Sequence, residues 1–370
     1  MELTFSPTGL LYKEKKIHNL KLNKLEIILE DSLLQQNNPA EMSFFRPECG
    51  WSKSNEPEDH LNEIALTINN LQDIKEVLCF SYKDESLAKR IVAKSSSLKA
   101  NIDYLFDPQK GIIRCYPEDF ESLEKYKYDY PKKKYKLILI RHYLEHFNNS
   151  FEIFEILNNY LDEDGFIYIE VPDCSKFFQK GIPLFLWEQH RKYFNYSSFI
   201  NLISKNNFNI EFVKTKGNDI EPSICSVVSK KKVNDKYFEN NIKLNNSDFI
   251  QDLEKNTNFY KENWKNYFNF SKVPIFLLGI GHNSDRFLQL TKSQKNFSGF
   301  LDDSDEKEGM YLAFCQKPIQ KTFDLDANER FDIILGVHDR SKIYVANKIK
   351  AIYKNARCYS IFNNVSEINV

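Results

Sequence analysis

The chain lacks paired cysteines, long apolar runs and any excess of charge. Its seven cysteines are scattered without a CxxC pair, which argues against a zinc site and a disulfide framework. No apolar run approaches the ~20 residues of a membrane-spanning helix, and the first residues lack the apolar segment of a signal peptide. The net charge of −1 supplies no field that would recruit nucleic acid or an anionic membrane. We therefore predict a soluble, cytoplasmic protein with neither partner.

Length and aromatic content indicate a large globular protein. At 370 residues the chain is long for one domain and suits two. It is 42% hydrophobic, with 30 Phe and 20 Tyr, which is ample for large cores. The composition therefore excludes a disordered chain or a small disulfide-stabilised fold.

The clearest pattern lies between residues 135 and 194. Lys136–Ile140 is a short apolar run, as in a strand that is buried on both faces. Asn148–Ser150 offers caps for a helix with apolar Phe151, Phe154 and Leu157. Phe166–Val171 is the next strand. This order predicts a parallel βαβ unit.

Two histidine-bearing loops follow the two strands of this unit. Glu145-His146 comes after the first strand, and Glu188 and His190 come after the second. Because ligands of such sheets bind beyond the carboxyl ends of the strands, these loops are predicted to converge on one site. Histidine suits a proton-transfer role there, since its unperturbed pKa is near 6.5. No metal-ligand spacing is visible in the sequence.

Three segments carry a resemblance to a known family. Ile140-Arg-His-Tyr-Leu-Glu-His-Phe147, Asp164-Gly-Phe-Ile-Tyr-Ile-Glu-Val-Pro-Asp173 and Glu188-Gln-His-Arg-Lys-Tyr-Phe194 resemble segments of class I S-adenosylmethionine (SAM) methyltransferases, closest to the sugar C-methyltransferase branch. The resemblance implies two Rossmann-like α/β domains, the first with a mostly parallel sheet and the second smaller. The amino-terminal zinc module of that branch has no counterpart, because no cysteine precedes Cys49.

The resemblance also assigns roles to residues. His146 and His190 are implied as base candidates, with Glu145, Glu188 and Tyr193 as orienting groups. The positions implied around SAM are Phe80, Ser81, Asp84, Asp107, Asp119 and Arg141. The implied substrate is a small-molecule acceptor such as a nucleotide-linked sugar or a related surface-glycan precursor.

The glycine-rich loop expected after the first strand is replaced by Cys79-Phe-Ser-Tyr-Lys-Asp-Glu-Ser86. Ser81, Lys83 and Glu85 stand where glycines would let the backbone approach the cofactor. We expect these three side chains to narrow or fill the pocket. This departure leaves three hypotheses open. The first is a SAM-dependent methyltransferase. The second is a methyltransferase fold that has lost SAM and performs another reaction, or none, with the His146/His190 site. The third is a non-catalytic partner that scaffolds a related enzyme; an oligomer is possible in each case.

The remaining sequence predicts the domain order. Residues 1–55 form an amino-terminal extension, 56–230 the methyltransferase-like domain, 231–272 a charged helical connector, and 273–370 a second Rossmann-like domain. The last of these contains Gly279-Ile-Gly-His-Asn-Ser284 after a buried-type strand, an incomplete dinucleotide-binding fingerprint.

Overall fold

The computed structural model describes residues 2–5, 11–15, 23–30, 33–37, 39, 58–72, 74–94, 101–105, 133–187, 189–217, 222–230, 246–322 and 325–369. The strands are β1 (Glu2–Phe5), β2 (Asn23–Glu30), β3 (Leu33–Gln36), β4 (Glu76–Cys79), β5 (Asn101–Tyr104), β6 (Tyr135–Arg141), β7 (Leu161–Pro172), β8 (Lys192–Tyr193), β9 (Phe208–Gly217), β10 (Pro222–Lys230), β11 (Ile275–Leu278), β12 (Gly299–Leu301), β13 (Ile319–Gln320), β14 (Asp332–Leu335) and β15 (Arg357–Ser360). The α-helices are α1 (Leu61–Leu71), α2 (Glu85–Val92), α3 (Ser150–Tyr160), α4 (Ser175–Lys180), α5 (Tyr196–Lys205), α6 (Asn246–Phe270), α7 (His282–Thr291) and α8 (Lys342–Ile352).

The largest sheet has the strand order β5-β4-β6-β7-β10-β9. β5, β4, β6 and β7 are parallel, whereas β10 runs antiparallel to both of its neighbours. The apolar run in β6 is explained by burial on two faces: Leu137 and Leu139 pack on one side of the sheet, and Ile138 and Ile140 on the other. Because the chain turns in opposite directions from β4 to β5 and from β5 to β6, the β4/β6 boundary is the topological switch point.

The helices beside this sheet follow the predicted periodicity with one difference. α1 buries Leu61, Ile64, Ala65 and Ile68. The cap predicted for α3 is confirmed, since the Asn149 side chain accepts a hydrogen bond from the Phe151 backbone N–H. The Phe151 ring itself is 57% exposed, because the buried face of α3 is set by Ile153, Phe154, Ile156 and Leu157.

The second sheet has the order β13-β12-β11-β14-β15 and is parallel throughout. Its own switch point lies between β11 and β14, where the Gly279–Gly281 turn leads into α7. The α/β class with two Rossmann-like sheets is thereby confirmed.

A third, antiparallel sheet joins the other two. It has the order β1-β2-β3-β8, so that a strand at residues 192–193 completes a sheet begun near the amino terminus. One hydrophobic core runs from this sheet through the segment 174–186 and α6 into the second sheet, with Trp264 packed on Phe287 at 4.9 Å. This core connects the third sheet to the second one through the segment that follows β7.

Among the described residues, no helix combines the length and the hydropathy that crossing a lipid bilayer requires.

Candidate functional site

The candidate site is built from the loops that follow β4 and β6, at the switch point of the first sheet. The β4 loop contains Phe80 to Asp84, and the β6 loop contains His142 to His146. Each loop includes one turn of 3₁₀ helix, Tyr82–Asp84 and Leu144–His146. An open α/β sheet binds its ligands at this position.

The β4 loop is closed upon itself by a capping box. The Ser81 backbone N–H donates to the Asp84 carboxyl at 2.8 Å, and the Lys83 N–H donates to the Ser81 hydroxyl at 3.2 Å. Ser81 and Asp84 are both fully buried. Burial raises the pKa of Asp84 to about 7, although its hydrogen bond from Ser81 and the Arg141 charge act in the opposite direction. Asp84 therefore stabilises the loop from within.

Two side chains bridge the crevice between the β4 and β6 loops. The Lys83 ammonium donates to the His142 carbonyl at 3.1 Å and lies 4.9 Å from the centre of the Tyr143 ring. In the other direction, Arg141 Nη1 donates to the Lys83 carbonyl at 2.9 Å. The bridges fix the two loops against each other.

Aromatic rings pack behind these bridges. The Phe80 ring lies 5.3 Å from the Tyr143 ring and 5.9 Å from the Phe147 ring, the latter edge-on. All three are buried in the core that includes Ile140. Phe80 thus contributes to packing at the carboxyl end of the sheet.

A buried ionic network centred on Glu170 lies beneath the same loops. Arg141 Nε donates to its carboxylate at 2.6 Å, and His142 Nε2, His60 Nε2 and the Tyr168 hydroxyl each donate at 3.0 Å. Burial alone would raise the pKa of Glu170, but the Arg141 charge and the two histidine hydrogen bonds lower it well below its usual range. Arg141, predicted to contact a cofactor, therefore forms an internal ion pair.

Sequence reasoning missed this network. A glutamate within the apolar run Phe166–Val171 was the available signal, because an ionisable side chain in a doubly buried strand requires partners. His142 carries a second sign of constraint, since its φ of 51° is uncommon for a non-glycine residue. Its backbone N–H donates to the Glu170 carbonyl at 2.8 Å, and this bond helps to hold the conformation.

The rim of the site brings Glu145, His146 and His190 together, as the two-loop pattern predicted. Their ligand atoms all lie within 4.8 Å of one another. The two imidazole rings meet edge to face at a centroid distance of 4.9 Å. His146 Nδ1 donates to the Gln189 carbonyl at 3.0 Å, which directs Nε2 toward Glu145, 3.9 Å from its Oε1.

Trp187 links this rim to the second sheet. Its indole lies 4.6 Å from the His190 ring and is stacked on the His282 ring at 5.2 Å. Burial lowers the pKa of His190 well below its usual value, and the Lys83 ammonium acts in the same direction. His190 is therefore a neutral imidazole at physiological pH.

Tyr193 is close to the rim but is engaged elsewhere. Its hydroxyl donates to the Trp187 carbonyl at 2.9 Å, and its ring lies 6.3 Å from that of His190. The Tyr193 side chain thus fixes the loop that carries His190. Of the other predicted site residues, Glu188, Asp107 and Asp119 lie outside the described residues.

The second sheet contributes a glycine turn beside the rim. Gly279 has φ +87°, and an added Cβ there would lie 2.5 Å from Val337 Cγ1. Gly281 is the cap residue of α7, whose first residue is His282. Asp302, at the position where a dinucleotide's ribose is bound in a Rossmann fold, instead accepts from the Ile280 N–H at 2.7 Å and pairs with Lys307 at 2.9 Å.

Comparison with known proteins gives one match by sequence. Residues 70–212 match the family model of a methyltransferase domain. That range begins in the last turn of α1 and ends within β9. It covers less than half of the chain and excludes the second sheet. No curated protein sequence matches the chain.

Three solved structures illustrate the structural similarity. A SAM-dependent methyltransferase from Clostridium acetobutylicum is 10% identical, with a TM-score of 0.33 over 46% of this chain and 90% of that one. The 1,6-didemethyltoxoflavin-N1-methyltransferase of Burkholderia thailandensis is 10% identical, with a TM-score of 0.34 over 47% and 80%. The plantazolicin methyltransferase BamL is 13% identical, with a TM-score of 0.34 over 47% and 85%.

Proposed function

We propose that this protein is a cytoplasmic enzyme that uses a methyltransferase fold to act on a nucleotide-linked sugar or a related glycan precursor, without SAM. The observation that carries the proposal is the contrast between two parts of one site. The rim keeps Glu145, His146 and His190 together, whereas the crevice behind the rim is bridged by Lys83 and Arg141.

The residues after β4 do not fit SAM. A cofactor at a switch point needs backbone that it can approach closely, which glycine provides. In this chain the loop forms a capping box between Ser81 and Asp84, and Lys83 spans the crevice to the His142 carbonyl. A cofactor entering this crevice would have to displace the Lys83 side chain from the His142 carbonyl.

The rim, by contrast, suits activation of a hydroxyl group on a small substrate. The Gln189 carbonyl fixes the His146 tautomer, so that the Nε2 lone pair faces the rim. Glu145 is 1% exposed and supplies negative charge beside it. Such an arrangement polarises a bound hydroxyl and orients it for reaction.

The second sheet supports the nucleotide-linked class of substrate. The Gly279–Gly281 turn leads into α7, and the backbone N–H groups at a helix amino terminus favour phosphate. The stacking of His282 on Trp187 places this turn beside His190. A diphosphate at the turn would direct the attached sugar toward the rim.

A second candidate is SAM-dependent methyl transfer to the same acceptor, with His146 or His190 as the base. The match of residues 70–212 to a methyltransferase domain favours it. The third hypothesis, a non-catalytic partner, does not account for the convergence of Glu145 with the two histidines.

Calorimetric titration of the purified chain separates these functions. We expect no binding of SAM or S-adenosylhomocysteine at millimolar ligand, and micromolar binding of at least one member of a panel of UDP-, GDP-, CDP- and dTDP-linked hexoses. His190→Gln should weaken that binding about 10-fold or more, whereas Glu163→Gln, at an exposed ion pair remote from the rim, should not. Micromolar SAM binding would refute the SAM-free proposal in favour of methyl transfer, and the absence of all binding would favour the non-catalytic partner.

A further inference from the structure

The rim residues are also a donor set for a metal ion. Glu145, His146 and His190 offer one carboxylate oxygen and two imidazole nitrogens within 4.8 Å of one another. Two histidines and one carboxylate are the ligands of many catalytic zinc and mononuclear iron sites. Ligand atoms that bind a metal tetrahedrally at about 2.1 Å lie roughly 3.4 Å from one another. A small inward movement of the three side chains would therefore bring their ligand atoms to metal-binding distance.

The orientation of His146 matches what a metal ligand needs. A metal-bound imidazole almost always donates its other ring N–H to a carboxylate or a backbone carbonyl. His146 Nδ1 does so to Gln189 O at 3.0 Å, and its Nε2 lies 3.9 Å from the Glu145 carboxylate. The second-shell hydrogen bond is therefore already formed.

A second buried glutamate near this site, Glu170, is already engaged in an ion pair. Glu170 also lies within a possible donor set, with His60 and Cys225. However, its carboxylate is ion-paired with Arg141 at 2.6 Å, and a metal there would have to compete with the guanidinium. Glu145 lies 3.9 Å from the imidazoles of His142 and His146, and imidazole is itself a metal ligand.

Three protein ligands leave one position of a tetrahedral ion open, as in catalytic zinc sites. Glu145 is buried at the floor of the rim, whereas His146 and His190 are partly exposed. Such an open position would face the side on which the His146 side chain is 10% exposed.

We propose that Glu145, His146 and His190 bind one divalent transition-metal ion, with Zn²⁺ as the best match to the donor set. This inference rests on the proposed function in one respect: it names the group that would polarise a substrate hydroxyl at the same rim. A bound Zn²⁺ lowers the pKa of a coordinated water or hydroxyl, which is the activation that the substrate requires.

The test is metal binding by the full-length protein after treatment with a chelator and removal of the chelator. Titration with Zn²⁺ against a chromophoric competitor is expected to show one ion per chain with micromolar or tighter affinity. Glu145→Gln, His146→Gln and His190→Gln should each weaken it by about 10-fold or more. His338→Gln is the matched control for the loss of one imidazole and should bind as the parent does.

The absorption spectrum of bound Co²⁺ is a second measurement that needs no variant. It therefore tests the site even if a variant fails to fold. Co²⁺ at the proposed site should give ligand-field absorption without a thiolate charge-transfer band, whereas Co²⁺ held by cysteines would give that band. Binding that is unchanged in all three variants, a thiolate band, or no binding at millimolar Zn²⁺ would overturn the metal site.

The proposals of a metal site and of a nucleotide-linked substrate are tested independently. Nucleotide-linked hexoses are titrated into the metal-free and the metal-loaded protein. Hexose binding without metal binding would overturn the metal site alone. Metal binding without hexose binding would support the site and overturn the substrate class.

Discussion

Replacing Asp84 by Asn should remove a pH-dependent loss of folding stability that arises in the closed β4 loop. Asp84 is fully buried, and burial raises its pKa from the ordinary value of 3.8 to about 7. Asparagine retains an oxygen that can accept the Ser81 N–H bond of the capping box. It cannot ionise, so the cost of burying a carboxylate disappears.

The sign of the effect follows from proton linkage. Between the unfolded pKa of 3.8 and the folded pKa of about 7, the folded state binds more protons than the unfolded state at Asp84. The free energy of unfolding therefore falls as the pH rises through this window. Each unit of pKa shift corresponds to about 1.4 kcal/mol, so the free energy of unfolding should fall by about 4 kcal/mol over the full window. About 3 kcal/mol of this fall should occur between pH 5 and pH 8.

Urea denaturation followed by far-ultraviolet circular dichroism at pH 5, 6, 7 and 8 provides the measurement. The difference in free energy of unfolding, Asp84→Asn minus parent, should increase by about 3 kcal/mol from pH 5 to pH 8. Asp252→Asn, at an exposed position of α6, controls for the chemical substitution itself. A difference that stays constant within about 1 kcal/mol across the range would refute the buried carboxyl and with it the closed loop.

Two further predictions concern stability. Glu170→Gln leaves the buried Arg141 guanidinium without its charged partner, so the free energy of unfolding measured in urea should fall by about 3–5 kcal/mol. The control, Glu163→Gln at an exposed ion pair, should leave it unchanged. Equal urea midpoints for the two variants would contradict the network. At Gly279 the backbone has φ +87°, and an added Cβ would lie 2.5 Å from a valine methyl group, so Gly279→Ala should lower the thermal unfolding midpoint. At Gly281 an added Cβ meets no atom within 4 Å, so Gly281→Ala should have little effect. Calorimetry of both variants measures the two midpoints.

The sequence was sufficient to predict the architecture because the signals for it are local. A short apolar run such as Lys136–Ile140 is typical of a strand buried on both faces. The spacing of Leu61, Ile64 and Ile68 indicates one face of α1. The apolar face of α3 was less well predicted. Phe151 satisfied the periodicity equally well, and only packing against the sheet decides which of two overlapping faces is buried.

The site was predictable in part. The convergence of His146 and His190 followed from the rule that parallel strands end at one edge. The side chains of the β4 loop were expected to narrow the pocket. Lys83 does span the crevice, whereas Glu85 does not point into it. That side chain begins α2 and pairs with Lys89 at 2.6 Å on the surface. A residue's place in a motif did not show which way its side chain points.

Glu170 illustrates what sequence alone leaves out. Its four donors come from residues 60, 141, 142 and 168, so that only the folded sheet assembles them. The network also explains why the crevice is closed. Arg141 is held by Glu170 through Nε, and its Nη1 is thereby directed to the Lys83 carbonyl. A buried ion pair beneath the sheet edge thus fixes the loop above it, beside the rim formed by Glu145, His146 and His190.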